Sequence, residues 1–230
     1  MALVDNLVAY YKLDESSGNA TDATGNGNTL TNTGTTPYTA AKINNGADFN
    51  RTNNRRLGIS SNLSFSWSGD YSWSFWVNMN SFVNSEYLLD HVTTTGSSRR
   101  AIFYTNADAK FRIFASGNEA ISSATYSTGT WYHIVGVKSG SDWTLYVNNT
   151  SVATTTSSTV SYTANALSLG CAYDGFGANA NATIDEVGFW NKALSADERT
   201  LLYNSGNGLS YDDFGGGSTI PSRLMMLGVG

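Results

Sequence analysis

Few residues of this chain could carry covalent chemistry, and their spacing narrows what each could do. Cys171 is the single cysteine, and His91 and His133 are the two histidines. Cys171 with His133 could form a thiol dyad. A lone cysteine beside Leu169 and Gly170 more often fills a small gap in a core. His133 shares a strand face with Trp131 and Val135, as a satisfied core histidine would. The acids come as sequence neighbours, Asp185 with Glu186 and Asp212 with Asp213. Adjacent strand positions point to opposite faces. Neither pair therefore predicts two facing carboxyls, which a retaining glycosidase holds about 5–5.5 Å apart. No G-x-S-x-G elbow and no H-E-x-x-H occurs. Gly175 to Ala180 fits a relaxed G-x-G-x-x-A, but a strand rather than a long helix is expected after it. The sequence predicts no catalytic residues.

Two other sets of residues suggest binding. The first loop gathers Asp14, Glu15, Asp22, Asn26 and Asn28 in one glycine-rich stretch. Calcium takes several oxygen ligands of this kind. The same residues could equally cap turns through Asx hydrogen bonds. The loop from Cys171 to Asn179 sets Tyr173, Asp174, Phe176 and Asn179 among glycines. Aromatic faces there could stack on the apolar side of a sugar while Asp174 and Asn179 meet its hydroxyls; packing within the loop is the other reading. Trp76 lies off the main apolar face of its strand, and Tyr38 and Tyr87 sit in polar loops.

The elements that would position these groups are strands. In Tyr71 to Val77, residues Tyr71, Trp73, Phe75 and Val77 share one face, while Ser72, Ser74 and Trp76 share the other. Lys110 to Phe114 and Trp143 to Val147 alternate in the same way. Clusters of Asn, Gly, Ser and Asp separate the runs at spacings suited to hairpins. Only two prolines, Pro37 and Pro221, interrupt the chain. A single helix is predicted at Ser195 to Asn204, with Ser195 and Glu198 as a capping box and Gly206 as a left-handed C-cap.

The pieces occur in a familiar order: Leu7 to Asn28, Asn45 to Asn50, Tyr71 to Asn78, Trp131 to Val137, Trp143 to Asn149, and the strand and capped helix from Thr183 to Gly206. Together they resemble the laminin G-like (LamG-like), concanavalin A-like lectin-glucanase domains. The resemblance implies an all-β fold, a two-sheet antiparallel jelly-roll β-sandwich with one short C-terminal helix. It covers residues 1–214. Glycosidases of this fold carry an E-x-D-x-x-E type arrangement on one strand, which is absent here. The resemblance also implies a structural calcium joining the N-terminal region to an acid opening the last strand. Asp185 is the first ligand expected on that ground, then Asp14 or Asp22, then Asp48. Trp76 matches a tryptophan of the family's structural pattern, which favours burial over ligand contact.

Composition narrows the setting. Charged residues make up 13% of the 230, about half the ~25% usual in globular domains. Ser, Thr, Asn and Gly must supply the polar surface. A net charge of −5 argues against nucleic acid as a partner. Two basic spots, Arg51 with Arg55 and Arg56, and Arg99 with Arg100, read as solvated loop charge or as contacts for an anionic glycan. No stretch approaches the ~18 apolar residues of a membrane span, and no signal peptide is visible. After a Gly215–Ser218 hinge, residues 220–230 form an apolar peptide that could pack on its own domain or dock on a neighbouring subunit.

The expectation is a non-catalytic recognition and attachment module that binds carbohydrate weakly on a virion surface or extracellular surface, as a homo-oligomer. The alternatives are a structural decoration or tail subunit and, at lower weight, a glycoside hydrolase.

Overall fold

The computed structural model describes residues 2–52, 54–61, 63, 69–92, 99–115, 117–157, 166–172 and 178–215, with main chain only at 99–102 and 115. The first strands are β1 (Leu7–Tyr11), β2 (Thr31–Thr33), β3 (Tyr38–Ala40), β4 (Asn45–Phe49) and β5 (Arg56–Ile59). The middle of the chain gives β6 (Tyr71–Met79), β7 (Glu86–Val92), β8 (Arg99–Thr105), β9 (Phe111–Ala115) and β10 (Asn118–Ile121). Then come β11 (Trp131–Ser139), β12 (Asp142–Val147), β13 (Thr150–Thr156), β14 (Ala166–Leu169), β15 (Ala182–Trp190) and helix α1 (Ala196–Tyr203).

The strands form two antiparallel sheets, as predicted. One runs β13-β12-β11-β6-β15-β4-β3, with β1 pairing to β15 as its eighth strand. The other runs β10-β9-β8-β7-β14-β5-β2. Alternation decides what lies between them. Tyr71, Trp73, Phe75 and Val77 of β6 point inward with Trp143 and Leu145 of β12 and meet Phe103 and Ile113 from the second sheet. Trp73 stacks on Trp143 at 5.7 Å, and Phe103 meets Phe75 edge-on at 5.4 Å. Gly136 is needed here, because a Cβ on it would come within 2.4 Å of the Phe103 ring. Burying such aromatic side chains gives roughly 1.5–3 kcal/mol each, before the entropy of ordering them.

The outer face of the eight-stranded sheet has its own cover. Helix α1 and the segments near both chain ends close over Tyr10, Val135, Val137 and Trp190, adding Leu3, Leu194, Leu202 and Phe214 to a second apolar cluster. This explains why β6 and β15 are buried on both faces. The helix starts as predicted: Ser195 Oγ accepts from Glu198 N–H, and Glu198 accepts from Ser195 N–H. Its left-handed C-cap is Asn204 (φ 47°) rather than Gly206, since asparagine tolerates that conformation and the chain needs it two residues earlier. Residues 216–230, including the predicted docking peptide, lie outside the described residues. No helix among the described residues is long and apolar enough to cross a membrane.

Candidate functional site

The four acids expected to ligate calcium hold separate posts. Asp22 is 5% exposed and accepts from the N–H groups of Tyr10, Thr24 and Asn28 and from the Thr24 and Asn28 side chains, at 2.7–3.2 Å. This is the turn-capping role. Asp14 accepts from Asn45 N–H at 3.1 Å and from the Asn44 amide at 3.3 Å. Asp48 pairs with Arg55 at 2.7 Å. Asp185, fully buried, accepts from the N–H groups of Ile43 and Glu186, each at 2.8 Å. Among the described residues no three His, Cys, Asp or Glu side chains gather as a metal ion requires. Calcium needs about six to eight oxygens. This donor set does not fit it.

Asp185 and Glu186 correct a second expectation, that neighbours on a strand diverge. A bulge shifts the register between Asp185 and Gly188, and Glu186 takes φ 50°. Asp185 sits opposite Trp76, on the outer side of the sheet. Val187 turns inward to the core. Glu186 stays on the outer side, where it is coupled to the Tyr10 hydroxyl, Asp14, Lys12 and Asp212. The bulge falls in the gap where β4 stops and β1 begins along β15. Burial, the largest cause, pushes both carboxyls up to about 8; the Glu186 charge adds to the rise at Asp185, and Asp14 adds to it at both. At 0% and 3% exposure the two acids are closed to any substrate.

The other sequence candidates are also buried. His133 is 1% exposed, shares a 2.8 Å hydrogen bond with Ser74 and stacks on Trp76 at 5.0 Å. Desolvation depresses its pKa to about 3, so it is neutral. Cys171 follows β14 in the opposite sheet and packs its thiol against the Ala172 carbonyl at 3.1 Å, so no thiol dyad forms. Trp76 is 3% exposed, with the Lys42 ammonium 4.5 Å above its ring and Tyr203 stacked at 6.0 Å. It cannot stack on a ligand, because the helix end covers it. Asn179 is 7% exposed, and its amide donates to Arg51 O and Asn54 Oδ1 at 3.1 and 3.0 Å. It tethers a loop. Tyr173, Asp174 and Phe176 lie outside the described residues.

The seven-stranded sheet presents a different outer face. Tyr87 of β7 lies opposite Tyr104 of β8, Tyr104 opposite Arg112 of β9, and Arg112 opposite Ile121 of β10. The two tyrosine rings are 5.8 Å apart, and the Arg112 guanidinium lies 5.7 Å from the Tyr104 ring. Arg112 is held by Asp108 through both terminal nitrogens, one at 2.8 Å. Tyr104 donates its hydroxyl to Glu119, which sits opposite Phe114 two register pairs along. Burial first, and then the Glu119 carboxylate, raise the pKa of that hydroxyl, so it stays protonated. Tyr87, Tyr104 and Phe114 are partly exposed, Glu119 is exposed, and Ile121 is 41% exposed. Helix α1, Leu3 and Phe214 lie against the other sheet, which leaves this row open among the described residues.

The row meets the loop picked from sequence. Tyr87 N–H donates to Ala178 O at 2.8 Å, and Tyr87 bridges Asn179. The 171–179 loop is thereby tied to the Tyr87 end of the row. Sequence reading placed Tyr87 in a polar loop; it belongs to β7, whose bulge at Leu88 disturbs the alternation. Tyr104 and Arg112 were missed as site residues. The signal for Arg112 was the Lys110–Phe114 alternation, which puts it on the side facing away from the core.

A family model described as the concanavalin A-like lectin/glucanases superfamily matches residues 50–198. No curated protein sequence matches the chain. Among solved structures, the sialidase of Trypanosoma rangeli aligns with a TM-score of 0.70 at 13% identity, over 91% of this chain and 34% of that one. Domain 4 of AbnA, an extracellular arabinanase from Geobacillus stearothermophilus solved with arabinotriose, gives 0.67 at 20% identity, over 85% of this chain and 97% of that one. The binding domain of botulinum neurotoxin DC, solved with SialylT, gives 0.67 at 12% identity, over 87% and 52%. This chain thus spans a third of the sialidase, half of the toxin fragment and nearly all of the arabinanase domain. At these identities the likeness shows the fold.

Proposed function

The chain belongs to the concanavalin A-like lectin/glucanase superfamily, and we propose that it is a non-catalytic carbohydrate-binding module whose site is the outer face of the seven-stranded sheet. One observation carries this reading. The row Tyr87–Tyr104–Arg112 fixes two partly exposed rings side by side on rigid strands, with charged acceptors at its edge. Tyrosine offers a pyranose or furanose a flat apolar contact with little entropy to lose. Carboxylates accept hydrogen bonds from sugar hydroxyls. The closed state of Asp185 and Glu186 supports the absence of hydrolysis. Several proteins of this fold are titled as binding domains, and one is solved with arabinotriose.

The setting we attach to this reading is an exterior surface, of a virus or phage particle or of a cell, with residues 220–230 as the docking peptide after the 215–218 hinge and a homo-oligomeric assembly. The Gly215–Ser218 hinge and the apolar tail support that part. A glycan array with the full chain tests the function. Binding to at least one glycan, weakened about tenfold or more by Tyr104→Ala, is expected. A flat array would return the chain to its structural alternative, a decoration or tail subunit.

A further inference from the structure

We infer that this face selects uncharged glycans, because the arginine of the row, Arg112, is neutralised in advance. The inference rests on the carbohydrate-binding reading and specifies its ligand. Arginine recognises a carboxylate or sulfate through two parallel N–H bonds from its fork. Both terminal nitrogens of Arg112 are already bound to Asp108, and Nη1 also donates to the Lys110 carbonyl at 3.1 Å. The Arg112 side chain is 8% exposed and Asp108 45%, so the negative partner faces the solvent. Arg112 and, more weakly, Lys110 hold the Asp108 carboxyl below its ordinary range. Lys110, a second cation beside the row, therefore lies next to a charge of opposite sign. Glu119 adds a second exposed carboxylate at the Tyr104 hydroxyl.

An acidic sugar would bring its own carboxylate against Asp108 and Glu119, and like charges brought together disfavour the complex. A neutral sugar meets no such opposition. Its C–H face can lie on Tyr104 and Tyr87, its hydroxyls can donate to Asp108 and Glu119, and Ile121 extends the apolar floor at the row's end. Two nearby arginines are engaged elsewhere. Arg55 is bound to Asp48, and Arg51 donates to the Asn84 carbonyl. The side chains of Arg99 and Arg100 lie outside the described ones, so the test below includes an anionic probe.

Calorimetric titration of the full chain with arabinotriose, xylohexaose, cellohexaose, maltohexaose and sialyllactose decides the matter. At least one neutral oligosaccharide should bind about tenfold or more tightly than sialyllactose. Asp108→Asn, which frees the Arg112 fork, and Glu119→Gln should each narrow that ratio. Sialyllactose binding as tightly as the best neutral sugar, and sensitive to Tyr104→Ala, would overturn the inference while leaving the carbohydrate-binding function in place. A ratio unmoved by both charge variants would overturn it too. Binding of no probe of either class counts against the function itself.

Discussion

The two sheets of this sandwich share an interior and differ in what they do with their outer faces. The eight-stranded sheet turns Tyr10, Val135, Val137 and Trp190 outward and then covers them with α1, Leu3 and Phe214. Its polar outer residues are absorbed too: Ser72 Oγ accepts from Leu194 N–H and donates to the Lys192 carbonyl, and His133 pairs with Ser74. The seven-stranded sheet turns Tyr87, Tyr104 and Phe114 outward and, among the described residues, leaves them partly open, with Arg112 buried beside them. Aromatic rings therefore mean opposite things on the two faces. On the covered face they are core; on the other face, among the described residues, they stay partly exposed and form the proposed site. Exposure, not residue type, separates the two groups.

Truncating one aromatic from each face gives the widest contrast. Trp190→Ala should cost about 3–5 kcal/mol in denaturant unfolding, since Trp190 is fully buried and donates to the Leu3 carbonyl at 2.7 Å. Tyr104→Ala should cost about 1 kcal/mol or less, because its ring is partly exposed. Equal losses would erase the distinction between the faces.

A smaller effect comes from the acids under the covered face. Glu186 is pushed up from 4.5 to about 8, so between those pH values the folded chain holds a proton that the unfolded chain has released. Stability should fall as pH rises through that window. Glu186→Gln should flatten the decline and gain roughly 1–3 kcal/mol at pH 9. His133 works in the other direction. Its pKa is lowered from 6.5 to about 3, so the unfolded chain takes up a proton first and stability is lost on acidification. Melting curves from pH 4 to 9 check both signs; a Glu186→Gln variant with the parent's alkaline slope would contradict the account.

The smallest expected effect is zero. Asp14, Asp22, Asp48 and Asp185 are each satisfied by hydrogen bonds or an ion pair, so EDTA should leave the melting temperature unchanged. A drop with chelator, restored by calcium, would mean that the covered face holds an ion after all.

Much of the fold was legible from residue order. The Tyr71–Val77 alternation gives both the inward face of β6 and the off-side position of Trp76. The Ser195–Glu198 capping box is local chemistry and reads directly from four residues. The site was less legible, for two reasons. Bulges break alternation where it matters: one at Leu88 hides Tyr87 from a period-two reading, and one at Glu186 puts two neighbouring acids on the same side. The partners are also remote in sequence. Glu119 meets Tyr104 from 15 residues away, and Ile43 donates to Asp185 from 142 away. Nothing in a local pattern announces such pairs.

By itself the sequence determined which strand faces are apolar, where the single helix starts, and that the surface would be poor in charge. These follow from side-chain periodicity and from short-range hydrogen bonds, which depend only on neighbours along the chain. Only the tertiary structure decided which outer face is roofed and which is open. That depends on where α1, Leu3 and Phe214 come to rest, and so on long-range packing rather than on any local signal. The same packing fixed the fate of the acids: the carboxyls shut in the bulge beneath the covered face are pushed up by burial, while Asp108, paired with Arg112 at the solvent, is held below the ordinary range.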